Sequence, residues 1–160
     1  MSLYQLIDKI PLCSDFSEDE KKIFAELDHS LLNFKKGDTI IKQGEQSEKV
    51  YPLYVLIEGT LSVEKKGYSR PIATLKSGSI FGEMSFLSNK PRSSNVITKE
   101  DVLVLRMDGD FFKKISFELK DKIKNYLIEL LIERLDRVNE SFKEVSNTAR
   151  GLRIRRDYGQ

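Results

Sequence analysis

A chain of 160 residues, 39% hydrophobic with nine Phe and six Tyr, is long enough to close one core and too short for several. Its 27 Lys and Arg against 25 Asp and Glu leave a net charge of +2, too even to mark a nucleic-acid partner by bulk charge. One cysteine, Cys13, excludes an internal disulfide, and no stretch has the basic start, apolar middle and small-residue end of a secretory signal, so a reducing, cytoplasmic setting is expected.

From Leu3 to Leu27 the apolar residues fall at helical spacing, and Ser17 with Glu20 forms a Ser-x-x-Glu capping box, which predicts a helix from about Glu18 to Leu27. From Ser30 to Met107 short β-rich runs ("TIIK", "LYVLI", "TLSVEKK", "SNVIT", "VLVLRM") are broken by Gly37, Gly44, Gly59, Gly67, Gly78 and Gly82. The longest apolar run, Val50 to Ile57, contains Pro52 and is far below the roughly 18 residues of a membrane span, so it reads as a buried strand. Parallel crossovers would each need a dozen or so connecting residues that these short intervals lack, so the sheet is expected to be antiparallel, in a sandwich or barrel. The lone His29 is expected at a strand edge without a chemical role, and one histidine is too few for a metal site built on several.

After Met107 the pattern turns helical. Asp108 opens a short helix over "DGDFFKKISF", and a long proline-free helix is predicted from about Glu118 to Val145. In it Ile128, Leu131, Leu135, Val138, Phe142 and Val145 recur at three and four residues, the seam of two helices pressed together, which predicts a homodimer. A second stripe, Ile123, Tyr126, Leu127 and Leu130, lies on the half nearer the sheet. Residues 147–160 lose the period and carry Arg150, Arg153, Arg155 and Arg156, the look of a frayed basic tail. The expected organisation is one domain over residues 1–146, with a helical lead-in at 1–28, a β region at 29–107, hinge and long helices at 108–146, and the tail at 147–160.

The stretch "FGEMSFLSNKPRSS", residues 81–94, poses the chemical question. "GEMSFL" can form one or two helical turns from Gly82, which project free amides suited to an anion. Arg92 adds a planar fork of donors that matches two phosphate oxygens, and the Ser93 hydroxyl with the amides of Ser93 and Ser94 can bond the remaining oxygens. A carboxylate beside that anion is explained if Glu83 faces a hydroxyl, and a phosphate next to a hydroxyl is a nucleotide ribose. The competing reading makes Glu83 and Arg92 a surface ion pair worth under about 1 kcal/mol.

"FGEMSFL" followed by "PRSS", preceded by "FKKGDTIIKQGE" and "YVLIEGTLSV", resembles the cyclic nucleotide-binding domains of protein kinase A regulatory subunits, catabolite-activator transcription factors and cyclic-nucleotide-gated channels. The likeness covers about residues 3 to 145. It implies a mainly β fold with flanking helices, an antiparallel jelly-roll-like β-roll with an N-terminal helix and two C-terminal helices, the last one long. It also implies that Glu83 bonds the ribose 2′-hydroxyl, that Arg92 holds the cyclic phosphate, and that Gly82, Ser93 and Ser94 supply amide or hydroxyl contacts. Phe81, Met84 and Val96 would line the pocket, Ser85 and Pro91 complete the ligand-binding set, and the long helix would close over the base. Two features depart from the family: the interval between "QGE" and "YVLIEG" differs by about three residues, with Pro52 inside a strand away from the pocket, and Ser93 stands where alanine often accompanies cAMP and threonine often accompanies cGMP. Serine occurs with cAMP too, so cAMP is favoured without the base being fixed.

No nucleophile, base and orienting group occur together, so the expected role is a non-catalytic sensor with no cofactor, bound to cAMP or cGMP as regulatory ligand. The residues after Val145 leave no room for a helix-turn-helix reader, which disfavours direct DNA binding, and no stretch suits a membrane. Occupancy would pass through the C-terminal helices to a dimer partner or an output protein. The alternatives are a transcription regulator lacking its DNA-binding domain and a ligand-free interaction module of the same fold.

Overall fold

The computed structural model describes residues 2–47 and 49–158. A short helix α1 (Leu3–Leu6) and two single turns of 3-10 helix lead to α2 (Glu18–Ala25). Ser17 starts α2 as its spacing requires: its hydroxyl accepts from the Glu20 amide at 3.2 Å while the Glu20 carboxylate accepts from the Ser17 amide at 2.8 Å. The expected end at Leu27 tightens instead into a 3-10 turn over Glu26–Ser30, which places the His29 backbone in a helical turn rather than at a strand edge.

Eight strands follow: β1 (Leu31–Phe34), β2 (Thr39–Ile41), β3 (Leu53–Glu58), β4 (Thr60–Glu64), β5 (Ala73–Lys76), β6 (Ile80–Phe81), β7 (Asn95–Thr98) and β8 (Val102–Met107). Between β6 and β7 runs α3 (Glu83–Ser88). The strands form two four-stranded sheets in the orders β1-β8-β3-β6 and β2-β7-β4-β5, every pairing antiparallel as expected. The strand foreseen over residues 50–57 starts only at Leu53, since proline has no amide for the ladder and Val50 is exposed. Pro52 therefore lies before the strand and not within it. β1 ("LLNF") and β5 ("ATLK") do not stand out by sequence, and β1 is defined by its register, Leu31 opposite Leu105 through Phe34 opposite Val102.

One apolar layer lies between the sheets, where Ile41, Tyr54, Leu56, Leu61, Phe81, Val96, Val102 and Val104 pack together. Alternation along β3 and β8 sends Leu53, Val55, Leu105 and Met107 to the other side, and these are buried as well. The central pair is thus apolar on both faces, which explains why "LYVLI" and "VLVL" read as continuous runs rather than alternating ones. Leu3, Leu6, Ile7 and Phe24 of the lead-in are buried too, and Phe24 meets Phe111 edge to face with ring centroids 6.0 Å apart. Phe111 comes from α4 (Gly109–Lys114), opened as foreseen by Asp108, whose carboxylate accepts from the amides of Asp110 and Phe111.

The final helix, α5 (Phe117–Tyr158), has 42 residues. It does not fray at Val145: the stretch read as a tail stays helical to Tyr158. An apolar period is what packs a helix, whereas propensity and the lack of a stop signal decide how far it runs, and here Ala, Leu and Arg continue with a single glycine, Gly151, and no proline. This length brings the chain to 47% helix, so "mainly β" describes the roll more than the whole. Packing divides the chain into two units, Met1–Lys122 and Ile123–Gln160, the second being most of α5. Along that unit Ile128, Leu135, Val138, Phe142 and Val145 are 51% to 73% exposed, and Leu152, seven residues after Val145, extends their row. Among the described residues no helix is long and apolar enough to cross a membrane.

Candidate functional site

The site is built around the junction between β6 and α3. Gly82 caps α3 with φ +80°, a conformation glycine adopts without strain, and a Cβ there would stand 2.9 Å from Nη1 of Arg92 and 3.2 Å from the Pro52 carbonyl oxygen. Glycine is needed for the turn and for the approach of both groups. Glu83 opens the helix and is 6% exposed. Asn89, also left-handed with φ 54°, ends it and turns the chain back toward Pro91 and Arg92.

Arg92 is likewise 6% exposed, which rules out a surface ion pair for Glu83 and Arg92. Its Nη1 donates to the Gly82 carbonyl at 2.9 Å and its Nη2 to the Pro52 carbonyl at 2.9 Å. The guanidinium carbon lies 5.0 Å from the ring centroid of Tyr51 and 5.9 Å from that of Tyr54. The "KQGE" turn grips the arginine's backbone: the Gly44 amide donates to the Arg92 carbonyl at 2.8 Å and the Arg92 amide to the Glu45 carbonyl at 3.0 Å. Burial draws the Arg92 pKa down from its usual value, while the surrounding Tyr54, Glu45, Tyr51 and Glu83 oppose this. Arginine keeps its charge throughout the physiological pH range.

The other expected residues divide by layer. Phe81 and Val96 are buried in the inter-sheet core, with Phe81 stacked on Tyr54 at 5.1 Å and an 11° tilt, and Ser85 is buried on α3. Ser94 is half-buried, whereas Met84, 51% exposed, and Pro91 and Ser93 face solvent. The structure thus gathers Gly82, Glu83 and Arg92 at one point and leaves Met84, Pro91 and Ser93 on the outside. An open groove of about 640 Å³, lined by Lys42, Lys65, Lys66, Tyr68 and Arg70 among others, includes none of the expected site residues.

Sequence reasoning missed Tyr51, Pro52, Tyr54 and Glu45 as neighbours of Arg92. The altered interval before "YVLIEG" and the proline within it fall in this loop, but neither says that it contacts Arg92. Pro52, expected away from the pocket, puts its carbonyl on the guanidinium.

A two-sheet antiparallel roll interrupted by a short glycine-capped helix, with a buried arginine beside that cap, defines a β-roll with a candidate anion site at its β6–α3 junction. Residues 31–118 match the cyclic nucleotide-binding domain model, and the chain belongs to that family. It is 32% identical over 116 residues to a cAMP-dependent protein kinase regulatory subunit of Aspergillus fumigatus, a match covering 72% of this chain and 27% of that protein. It is 32% identical over 122 residues to the human cGMP-dependent protein kinase 2, covering 71% of this chain and 15% of the relative. The chain therefore spans about a quarter or less of the length of these two relatives. In fold it resembles the catabolite activator protein of Thermus thermophilus with a TM-score of 0.69 and 22% identity, over 85% of this chain and 63% of that one.

Proposed function

We propose that the chain is a cytoplasmic, non-catalytic sensor that binds a cyclic nucleotide, cAMP in preference to cGMP, within residues 1–146. The observation that carries this is the buried Arg92, pinned by the Gly82 and Pro52 carbonyls next to the buried Glu83, in a chain of the cyclic nucleotide-binding family. Two carbonyl bonds leave further N–H groups on the fork, enough to receive a phosphate while the arginine stays anchored. In this reading Arg92 holds the cyclic phosphate and Glu83 accepts from the ribose 2′-hydroxyl. Gly82, Ser93 and Ser94 add amide or hydroxyl contacts, with Phe81, Met84, Ser85, Pro91 and Val96 around them.

Occupancy is read out through α5, whose apolar row holds a second copy of the chain or an output protein. Cyclic AMP is preferred because the relatives include cAMP-dependent regulatory subunits from several fungi at 26% to 32% identity, and Ser93 is compatible with adenine. The competing reading, a ligand-free module, draws on the same two carbonyls, since they already engage one N–H of each terminal nitrogen and anchor the arginine without a ligand.

Isothermal titration with cAMP and cGMP side by side decides between them. Arg92→Ala should weaken binding by about ten- to several-hundred-fold, as charge-assisted bonds are worth roughly 1.5–3 kcal/mol each. It should also destabilise the fold by about 1–3 kcal/mol, because two buried carbonyls lose their donor. A 2′-deoxy cyclic nucleotide should bind more weakly to the wild type and lose little more on Glu83→Gln. Wild-type protein that takes neither nucleotide, or a folded Arg92→Ala that binds normally, would sink this reading.

A further inference from the structure

The loop between β2 and β3 holds Arg92 twice. Gly44 and Glu45 bond its backbone, and further along the same loop Tyr51 and Pro52 contact its guanidinium. Tyr51 is 4% exposed, its ring faces the guanidinium carbon at 5.0 Å, and its hydroxyl accepts from the Ser47 amide at 3.1 Å. The carbonyls of Gly82 and Pro52 set the rotation of the fork within its plane, and the Tyr51 ring, over which the guanidinium carbon lies, limits how that plane can tilt. A planar donor group held in both respects meets two phosphate oxygens with little rotamer freedom left to lose. The hold is also electrostatically economical, because an aromatic face and a carbonyl are neutral and orient the cation without cancelling the charge that an anion needs.

Resting on the nucleotide-binding reading above, we propose that Tyr51 is the positioning residue for the Arg92 fork: its ring limits the tilt of the guanidinium plane, and its hydroxyl ties that ring to the loop at Ser47. The ring is the active part, and the hydroxyl serves only to hold it. Tyr54, at 5.9 Å and stacked on Phe81, is committed to the core.

The test separates positioning from mere stability. In titrations with cAMP and cGMP, Tyr51→Phe should bind within about two-fold of wild type, and Tyr51→Leu should bind about three- to thirty-fold more weakly, the span of a desolvated cation–ring contact. In an Arg92→Ala background Tyr51→Leu should cost nothing further, because its effect passes through the arginine. Losses that multiply in the double variant, or a Tyr51→Leu that binds as wild type, would overturn the proposal. If the wild-type chain binds neither nucleotide, the function reading fails while this one is decided on free protein by NMR. The Arg92 Nε–H proton should carry a ring-current shift in wild type and Tyr51→Phe that shrinks in Tyr51→Leu to what the more distant Tyr54 ring contributes. An unshifted wild-type resonance refutes the ring contact even where the leucine variant does not fold.

Discussion

Strand β8 and the exposed row of α5 are both rich in large apolar residues, yet they end in opposite environments. Val102, Val104, Leu105 and Met107 are buried, while Ile128, Leu135, Val138, Phe142 and Leu152 are mostly exposed. β8 pairs with β1 on one side and β3 on the other, and has a packed layer on each face, so its side chains have cover within the chain. The α5 row has a regular period without such cover. Apolar sequence alone therefore does not say whether a residue supports the fold or waits for a partner, and an exposed apolar row of this extent is the ordinary mark of an interaction surface.

The sharpest way to break this contrast is a pair of truncations. Leu105→Ala should cost about 2–5 kcal/mol in chemical denaturation, whereas Leu135→Ala should stay within about 0.5 kcal/mol in dilute protein. If α5 holds a second copy, the Leu135→Ala cost should grow with protein concentration, and Leu135→Asp with Val138→Asp should leave a monomer in sedimentation. Equal costs for Leu105 and Leu135 at every concentration would erase the distinction.

A smaller effect is expected where α5 begins. Lys122 Nζ contacts the Glu20 carboxylate at 2.7 Å and also donates to the Asp15 carbonyl at 2.9 Å. Burial pushes the Glu20 pKa up, but the bonds from Lys122 and Ser17 together outweigh it and bring the carboxyl below its usual value. A carboxyl depressed by folding contributes stability above its unfolded pKa of about 4.3 and loses it as pH falls through the folded value. Lys122→Met should thus cost about 1 kcal/mol or less at pH 7, and the deficit should shrink below about pH 4. A deficit that grows on acidification would contradict the assignment.

The smallest expected effect concerns Cys13, buried in the lead-in with its thiol pushed up to about 12 by burial. A native thiol that stays protonated should resist alkylation at pH 8 and react only as the chain unfolds. Rapid labelling of folded protein would show that the lead-in is far less closed than the roll.

What was legible in the sequence follows the same division. Capping residues act locally, so Ser17, Asp108 and Gly82 announced their helices. β8 matched its run from Val102 to Met107 because a strand buried on both faces keeps an apolar stretch, here Val102 to Leu105, interrupted only by the exposed Arg106 near its end. β1 and β5 escaped notice because they are short and partly exposed, and owe their place to pairing across the sheet. The far end of α5 was lost because an apolar period was taken for helix itself. At the site, Gly82, Glu83 and Arg92 could be read from one contiguous motif, whereas the groups that hold Arg92 come from a loop some forty residues earlier, and no local pattern links Tyr51 to an arginine that far along.

The bonds from Gly44 and Glu45 to Arg92 alter what can be said about time. Strand β2 ends at Ile41 and β7 begins at Asn95, but the reciprocal amide–carbonyl pair between Gly44–Glu45 and Arg92 carries sheet-like bonding past those points. The amides of Gly44 and Arg92, which occupy loops by any map of the strands, should then exchange with solvent deuterium in step with the neighbouring sheet and not at loop rates. The guanidinium would be released only when that edge of the sheet opens, so the clock for disassembling the site is set by the roll.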